Sequence, residues 1–259
     1  MPEWTAQISG RPMSKQAGAQ STKNATKPAA TEADIAAGHD EVSVNDATLH
    51  YLDVIYRLTL TGESANTTDI ATRLGVTPSG ASVMLKRLAD RKLVLLTPYK
   101  GATLTPKGTR IATRIIRRHR MLELFLHKVM HFEWHEVDLH AHALETSINE
   151  AFEDRMDIIL DHPTRCPHGH LIPNKDGTLP EAHDVRLIDQ KSGTRGIVRC
   201  VDTDNSDWLK YLGEQGLKPG AEIELKEIAP YGGPIVLQTT QKTHSLGRNL
   251  AELIYVEVA

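Results

Sequence analysis

The sequence predicts a mainly α N-terminal part followed by a small all-β barrel at the C-terminus. Three observations carry this. Asn66 to Gly101 reads as a helix, a glycine turn, a second helix and a hairpin. Apolar residues repeat at helical spacing on both sides of that stretch, from Asn45 to about Leu160. From about Val185, short apolar runs alternate with turns that carry Gly and Pro.

In chain order, residues 1–43 are rich in Ala, Ser, Thr, Lys and Gln and read as a disordered tail. Asn45 to Leu60 predicts a helix with Leu49, Leu52, Ile55, Tyr56 and Leu60 as its apolar stripe. His50 and Asp53 lie three apart on its polar edge, a spacing that by itself marks an ordinary solvated face. The next helix takes Asn66 or Thr67 as N-cap, turns Ile70 and Leu74 inward and ends at Gly75-Val76. Thr77 then reads as an N-cap and Pro78 as the first helical residue, because proline's missing N–H and fixed φ suit a first turn. Ala81, Met84, Leu85 and Leu88 give this second helix its buried side. Leu93 to Leu96 reads as a strand, and after the Pro98–Gly101 turn Ala102 to Leu104 returns beside it.

Residues 44–108 therefore predict a winged helix-turn-helix that enters DNA. Its second helix would face the major groove through Thr77, Pro78, Ser79, Gly80 and Ser82. These are small, so base contacts are expected to be few, apolar or water-mediated. Lys86, Lys92 and Lys100 are the candidates for phosphate contact, which positions without specifying. Charge agrees: Asn66 to Arg120 holds 12 Lys and Arg against two Asp, a balance of +10 in a chain of −3.

After the hairpin, Thr105-Pro106 repeats the cap-then-proline signal and a long helix runs to about Met130. His119 and Glu123 lie four apart on it and share a face, as metal ligands or as an ordinary hydrogen-bonded pair. Trp134 to about Leu160 reads as one further helix, with Val137, Ala141, Leu144, Ile148 and Phe152 buried. Asp138, His142 and Glu145 run beside that stripe. His135-Glu136 is not a zinc-protease motif: the next histidine is five on, about 140° away around the helix. Residues 109–161 thus form a helical domain. His162 to Pro173, HPTRCPHGHLIP, opens a loop-like linker over 162–184 whose Cys166, His168 and His170 invite a zinc hypothesis, but a single cysteine with flanking histidines is weak evidence and a structural connector is the preferred reading. Residues 185–259 carry five short strands, one helical insertion near Asp207 to Gln215, and the expectation of closure into a barrel.

Totals narrow the function. At 259 residues, 40% hydrophobic and 24% charged, the composition is that of an ordinary globular chain. No apolar run approaches a membrane span, and the N-terminus lacks the apolar core of a signal peptide. Two cysteines make no disulfide framework, so a reducing cytoplasm is the expected location. Thirteen histidines, most between His119 and His183, suggest metal chemistry, although histidine-rich surfaces also occur without it. An enzyme would need an open coordination site with a general base in a cleft, and no such signature is present.

LHYLDVIYRL, the helix-turn-helix with LKRLADRKLV, PYKGATLTPKG, RRHRMLELFL, the linker, KPGAEIELKEIAP and THSLGRNLAELIYVEV occur in this order. Together they resemble the diphtheria-toxin-repressor family, which includes iron- and manganese-dependent (MntR-like) regulators, over about residues 45 to 259. The resemblance implies a homodimer with a helical dimerisation domain and a C-terminal SH3-like (FeoA-type) barrel. It also implies binding to a palindromic operator only when loaded with Mn²⁺ or Fe²⁺, and repression of metal uptake. It places metal ligands at His50, Asp53, His119, Glu123, Asp138, His142 and Glu145. The histidine usual after that glutamate is Thr146 here, and His50 is the candidate to replace its nitrogen. Nitrogen and oxygen donors without thiolate fit Mn²⁺ or Fe²⁺ and not a thiolate-built zinc site, and the hard oxygens of Asp53, Glu123, Asp138 and Glu145 favour Mn²⁺, with Fe²⁺ as the alternative. A metal-independent winged-helix regulator that senses a small molecule is the competing reading.

Overall fold

The computed structural model describes residues 45–59, 65–98, 100–240 and 242–258. The tail assigned to residues 1–43 lies outside them, as do Leu60 and Tyr99. Helix α1 (Asp46–Thr59) buries Tyr51, Leu52 and Ile55. Helix α2 (Thr67–Leu74) is capped by Asn66, whose side chain accepts from the Asp69 amide, and ends at Gly75 with φ of 63°. Helix α3 (Pro78–Asp90) is capped by Thr77, which accepts from the Gly80 amide. Strands β1 (Val94–Thr97) and β2 (Gly101–Leu104) form an antiparallel hairpin. Leu52, Ile55, Ile70, Leu85, Leu88 and Leu93 bind these elements into one core.

Helix α4 (Pro106–Lys128) starts at a Thr105 cap and continues into a second core. There Met121, Leu122 and Leu126 pack with Val137, Ala141 and Met156. The single helix expected from Trp134 to Leu160 is in fact two, α5 (Val137–Leu144) and α6 (Glu150–Ile159). Asn149 restarts the chain by accepting from the Phe152 amide at 2.9 Å. The expected stripe breaks with it, for Leu144 and Phe152 are 41% and 47% exposed. Buried Arg117 ties α4 to α6 through Glu153 and Asp157, both at 2.9 Å, and donates to the Pro173 carbonyl of the linker at 2.8 Å. The linker also lies hard against the C-terminal sheet: a Cβ on Gly169 would fall 1.8 Å from the Arg199 carbonyl oxygen.

The C-terminal elements are β3 (Val185–Arg186), a 3-10 turn (Leu187–Asp189), β4 (Arg195–Val201), α7 (Ser206–Glu214) and β5 (Glu222–Ile228). They continue with β6 (Ile235–Thr239), β7 (Thr243–Leu246), α8 (Arg248–Ala251) and β8 (Ile254–Val258). Six strands pair antiparallel in the order β3-β8-β4-β5-β6-β7. The closed barrel is therefore corrected to an open sheet among the described residues. Its edges do not meet because β3 is two residues long and passes directly into the 3-10 turn, sending Leu187 into the core. Strand β7 was not among the five expected: its T-H-S-L pattern hides two buried positions, His244 and Leu246, behind polar residue types.

Trp134 precedes α5 yet is buried with Leu209, Leu212 and Leu217 in the core of the sheet unit. Its indole lies over Gly213, where a Cβ would come within 2.6 Å of Nε1. No helix among the described residues is long and apolar enough to cross a membrane.

Candidate metal centre and nucleic-acid face

Three helices supply a polar cluster whose centre is buried and whose rim, with His142, is exposed. The i, i+4 spacing on α4 sets His119 and Glu123 on one face, where both are buried. Helix α5 brings Asp138 and His142, and Glu145 follows its last turn. Helix α1 brings His50.

His119 is the hub. Its Nδ1 lies 2.6 Å from Glu145 Oε2, and its Nε2 lies 3.2 Å from Asp138 Oδ1 and 3.6 Å from Glu123 Oε1. The other oxygen of Glu145 lies 3.4 Å from His142 Nδ1 and 3.7 Å from His50 Nε2. The rings of His50 and His142 stack with centroids 4.6 Å apart. Six of the seven expected ligands thus fall into two groups with metal-holding spacing, His119–Glu123–Asp138 and His50–His142–Glu145. Asp53 joins neither; its carboxylate accepts from Arg57 on the same helix at 2.9 Å.

Electrostatics follow from burial and pairing. Burial opposes charge on His119, but Glu123 and hydrogen bonds to Asp138, Glu123 and Glu145 outweigh it and raise its pKa well above the ordinary value. Burial likewise opposes charge on Glu123, yet His168 and His119 hold its carboxyl well below the usual range. Asp138 is lowered in the same way, against its burial, by His119. Protons on imidazoles therefore stand where a cation's charge would stand. The nitrogen and oxygen donors of both groups suit a divalent ion such as Mn²⁺ or Fe²⁺.

His168, which the sequence assigns to the connector and not to the ligand set, reaches the cluster. Its Nδ1 lies 2.8 Å from Glu123 Oε1 and its Nε2 lies 2.7 Å from the Trp134 carbonyl. An imidazole held through one nitrogen by a carbonyl, with the other turned to a charged site, is typical of metal centres. With Cys166 and His170 it forms a third group of ligand spacing. His170 Nε2 meets Asp202 at 3.0 Å, while burial and Glu123 push the Cys166 thiol well up. The signal lay in the spacing of CPHGH, which looks like loop punctuation until the loop is packed between α4 and β4.

Around α3 and the hairpin, Thr77, Pro78, Ser79 and Gly80 are exposed, as are Lys86, Lys92 and Lys100, while Ser82 is half-buried. The Thr77 hydroxyl is already used by the Gly80 amide and lies 3.2 Å from that of Ser79. Ser82 and Lys86 border a groove of about 360 Å³ between α3 and the hairpin. On α5 and α6, Leu139, Ile158, Ile159 and Phe152 are exposed apolar side chains, between 47% and 73% accessible.

Comparison with known proteins assigns each part. The model for the iron dependent repressor N-terminal DNA binding domain matches residues 45–102. The model for the iron dependent repressor metal binding and dimerisation domain matches 105–174, and that for the FeoA domain matches 185–258. The chain is 28% identical over 225 residues to the iron-dependent repressor IdeR of Mycobacterium leprae, covering 82% of this chain and 97% of that one. It is 32% identical over 138 residues to the transcriptional regulator MntR of Listeria innocua, covering 52% of this chain and 94% of that one. A manganese-dependent transcriptional repressor in complex with manganese superposes with a TM-score of 0.76 at 30% identity, over 82% of this chain and 100% of the other.

Proposed function

The chain belongs to the iron-dependent, or diphtheria-toxin, repressor family, and from that premise we propose that it is a repressor whose grip on DNA is switched by Mn²⁺, with Fe²⁺ as the alternative. The observation that carries this is His119, hydrogen-bonded to ligand candidates of both groups, with His50 of α1 next to Glu145. Helix α1 shares its core with α2 and α3, whereas His119 and Glu145 belong to the helical part beyond. His119, Glu123 and Asp138 would hold one ion, and His50, His142 and Glu145 a second. A bound divalent ion supplies the charge that pulls neutral imidazoles and carboxylates together. Because His50 rides on α1, occupancy would favour one placement of the DNA-facing helices over others.

In this reading α2, α3 and the hairpin work as a winged helix-turn-helix. The sheet unit is SH3-like. The exposed apolar side chains of α5 and α6 meet a second copy, and the paired α3 helices read a palindromic operator controlling metal uptake in the cytoplasm.

The test starts from an operator selected from a random duplex library by the metal-loaded protein. Binding is then titrated with Mn²⁺, Fe²⁺ under anaerobic conditions, Zn²⁺ and a chelator. Mn²⁺ or Fe²⁺ should promote binding and the chelator abolish it, and His119→Ala should lose the metal response. Chelator-insensitive binding would overturn this reading in favour of a small-molecule sensor.

A further inference from the structure

Beyond the Pro78 ring that opens it, helix α3 has one exposed side chain in its first two turns that is longer than serine: Val83. It is 52% exposed, while Ala81, Leu85 and Leu88 are buried. At about 100° per residue, Val83 stands roughly 200° round the helix from Ala81, so it projects away from the core. Ser79 lies one turn before it on the same face and Lys86 one turn after, both exposed.

The polar groups of the first two turns have little to offer a base edge. Thr77 caps the helix and its hydroxyl lies 3.2 Å from that of Ser79. Ser82 is half-buried and borders the groove beside the hairpin. Lysine further along the helix suits phosphate. A valine at the centre of this face donates and accepts no hydrogen bond. In the major groove one base feature matches it, the C5-methyl group of thymine.

We propose that Val83 is a specificity-determining residue that reads a thymine methyl in the operator half-site. This rests on the DNA-reading function proposed above and adds the chemistry by which sequence is read: apolar contact in place of a bidentate hydrogen bond.

The test uses the full, Mn²⁺-loaded chain and the duplex enriched from a random library. Each dT of the half-site is replaced singly by dU, which removes only the methyl group, and affinity is measured for wild type and Val83→Ala. At one position the wild type should lose about fourfold, the worth of one buried methyl. Val83→Ala should start weaker by a similar factor and lose nothing further there. The inference is overturned if no dU substitution affects the wild type, or if Val83→Ala loses as much as wild type at the same position. Failure to enrich any duplex would remove the DNA-reading function and this inference together; enrichment without methyl sensitivity removes this inference alone. Because Val83 is exposed, the substitution leaves the core intact, and an unchanged melting temperature verifies that.

Discussion

His119 shows how one side chain can hold a site together in two ways. Without metal its proton links the carboxylates of Asp138, Glu123 and Glu145. Its folded pKa is raised, so this contribution to stability is complete below the unfolded value and lost as pH climbs through the folded one. Glu123 has the opposite sign: its folded pKa is lowered, so its contribution is complete above the unfolded value and lost as pH falls through the folded one. Both act fully between roughly pH 4.3 and 6.5, the unfolded values of Glu and His. As a proposed ligand, His119 would have to give up its proton, because a metal ion needs the neutral imidazole. Calorimetric Mn²⁺ titrations near pH 7, in two buffers of different ionisation heat, should show a proton released as the His119–Glu123–Asp138 group fills and tighter binding there at higher pH. Binding with no proton release would mean that His119 keeps its proton and is not a ligand. The pairing of His119 with Glu123 was legible from their spacing. Its links to Asp138 and Glu145 were not, because they depend on how α5 docks against α4.

At the scale of elements, caps decided most boundaries, and caps are short-range. Asn66, Thr77 and Thr105 each accept from the backbone amide three residues on, as their types suggest. The break between α5 and α6 was harder to see, because Ile148 and Phe152 extend the helical period across it while Asn149 caps a new start. The end of α3 carries a feature that the sequence does not advertise. Lys92 sits at φ 58°, where glycine is the usual residue. Its amide donates to the Ala89 carbonyl at 2.8 Å and that of Leu93 to Leu88 at 2.9 Å, which closes the helix. A lysine carries a steric cost there, and under the proposed DNA-reading role of α3 an exposed charge beside it is a reason to keep it. Lys92→Gly should stabilise the fold by about 1 kcal/mol in urea denaturation and weaken operator binding, with a shallower dependence on salt. Stabilisation with unchanged affinity would remove Lys92 from the phosphate contacts.

Across the whole molecule, the basic block read from the sequence divides in two. Lys86, Lys92 and Lys100 are exposed near α3 and the hairpin. Arg117 and Arg120 are buried, and they hold α6 and the linker by ion pairs and carbonyl hydrogen bonds. Charge counting could not separate them, since it records sign and not burial. The helical and sheet parts were legible as separate patterns, but their joint was not. That joint is Trp134: its side chain belongs to the sheet core, while its carbonyl fixes His168, which meets Glu123 at the centre. Support of this kind orients a ligand without touching the ion. Gly213 tests it from a distance, because a methyl there would collide with the indole. Gly213→Ala should weaken Mn²⁺ binding at the His119–Glu123–Asp138 group by about tenfold, the lower end of what loss of such support costs. The His50–His142–Glu145 group, on the other side of His119, should change less. Mn²⁺ titration followed by electron paramagnetic resonance separates free from bound ion and so resolves the two affinities. If both stay at their wild-type values while the melting temperature falls, the sheet unit is a passive attachment; if one alone weakens, the C-terminal half is part of how this chain holds its metal.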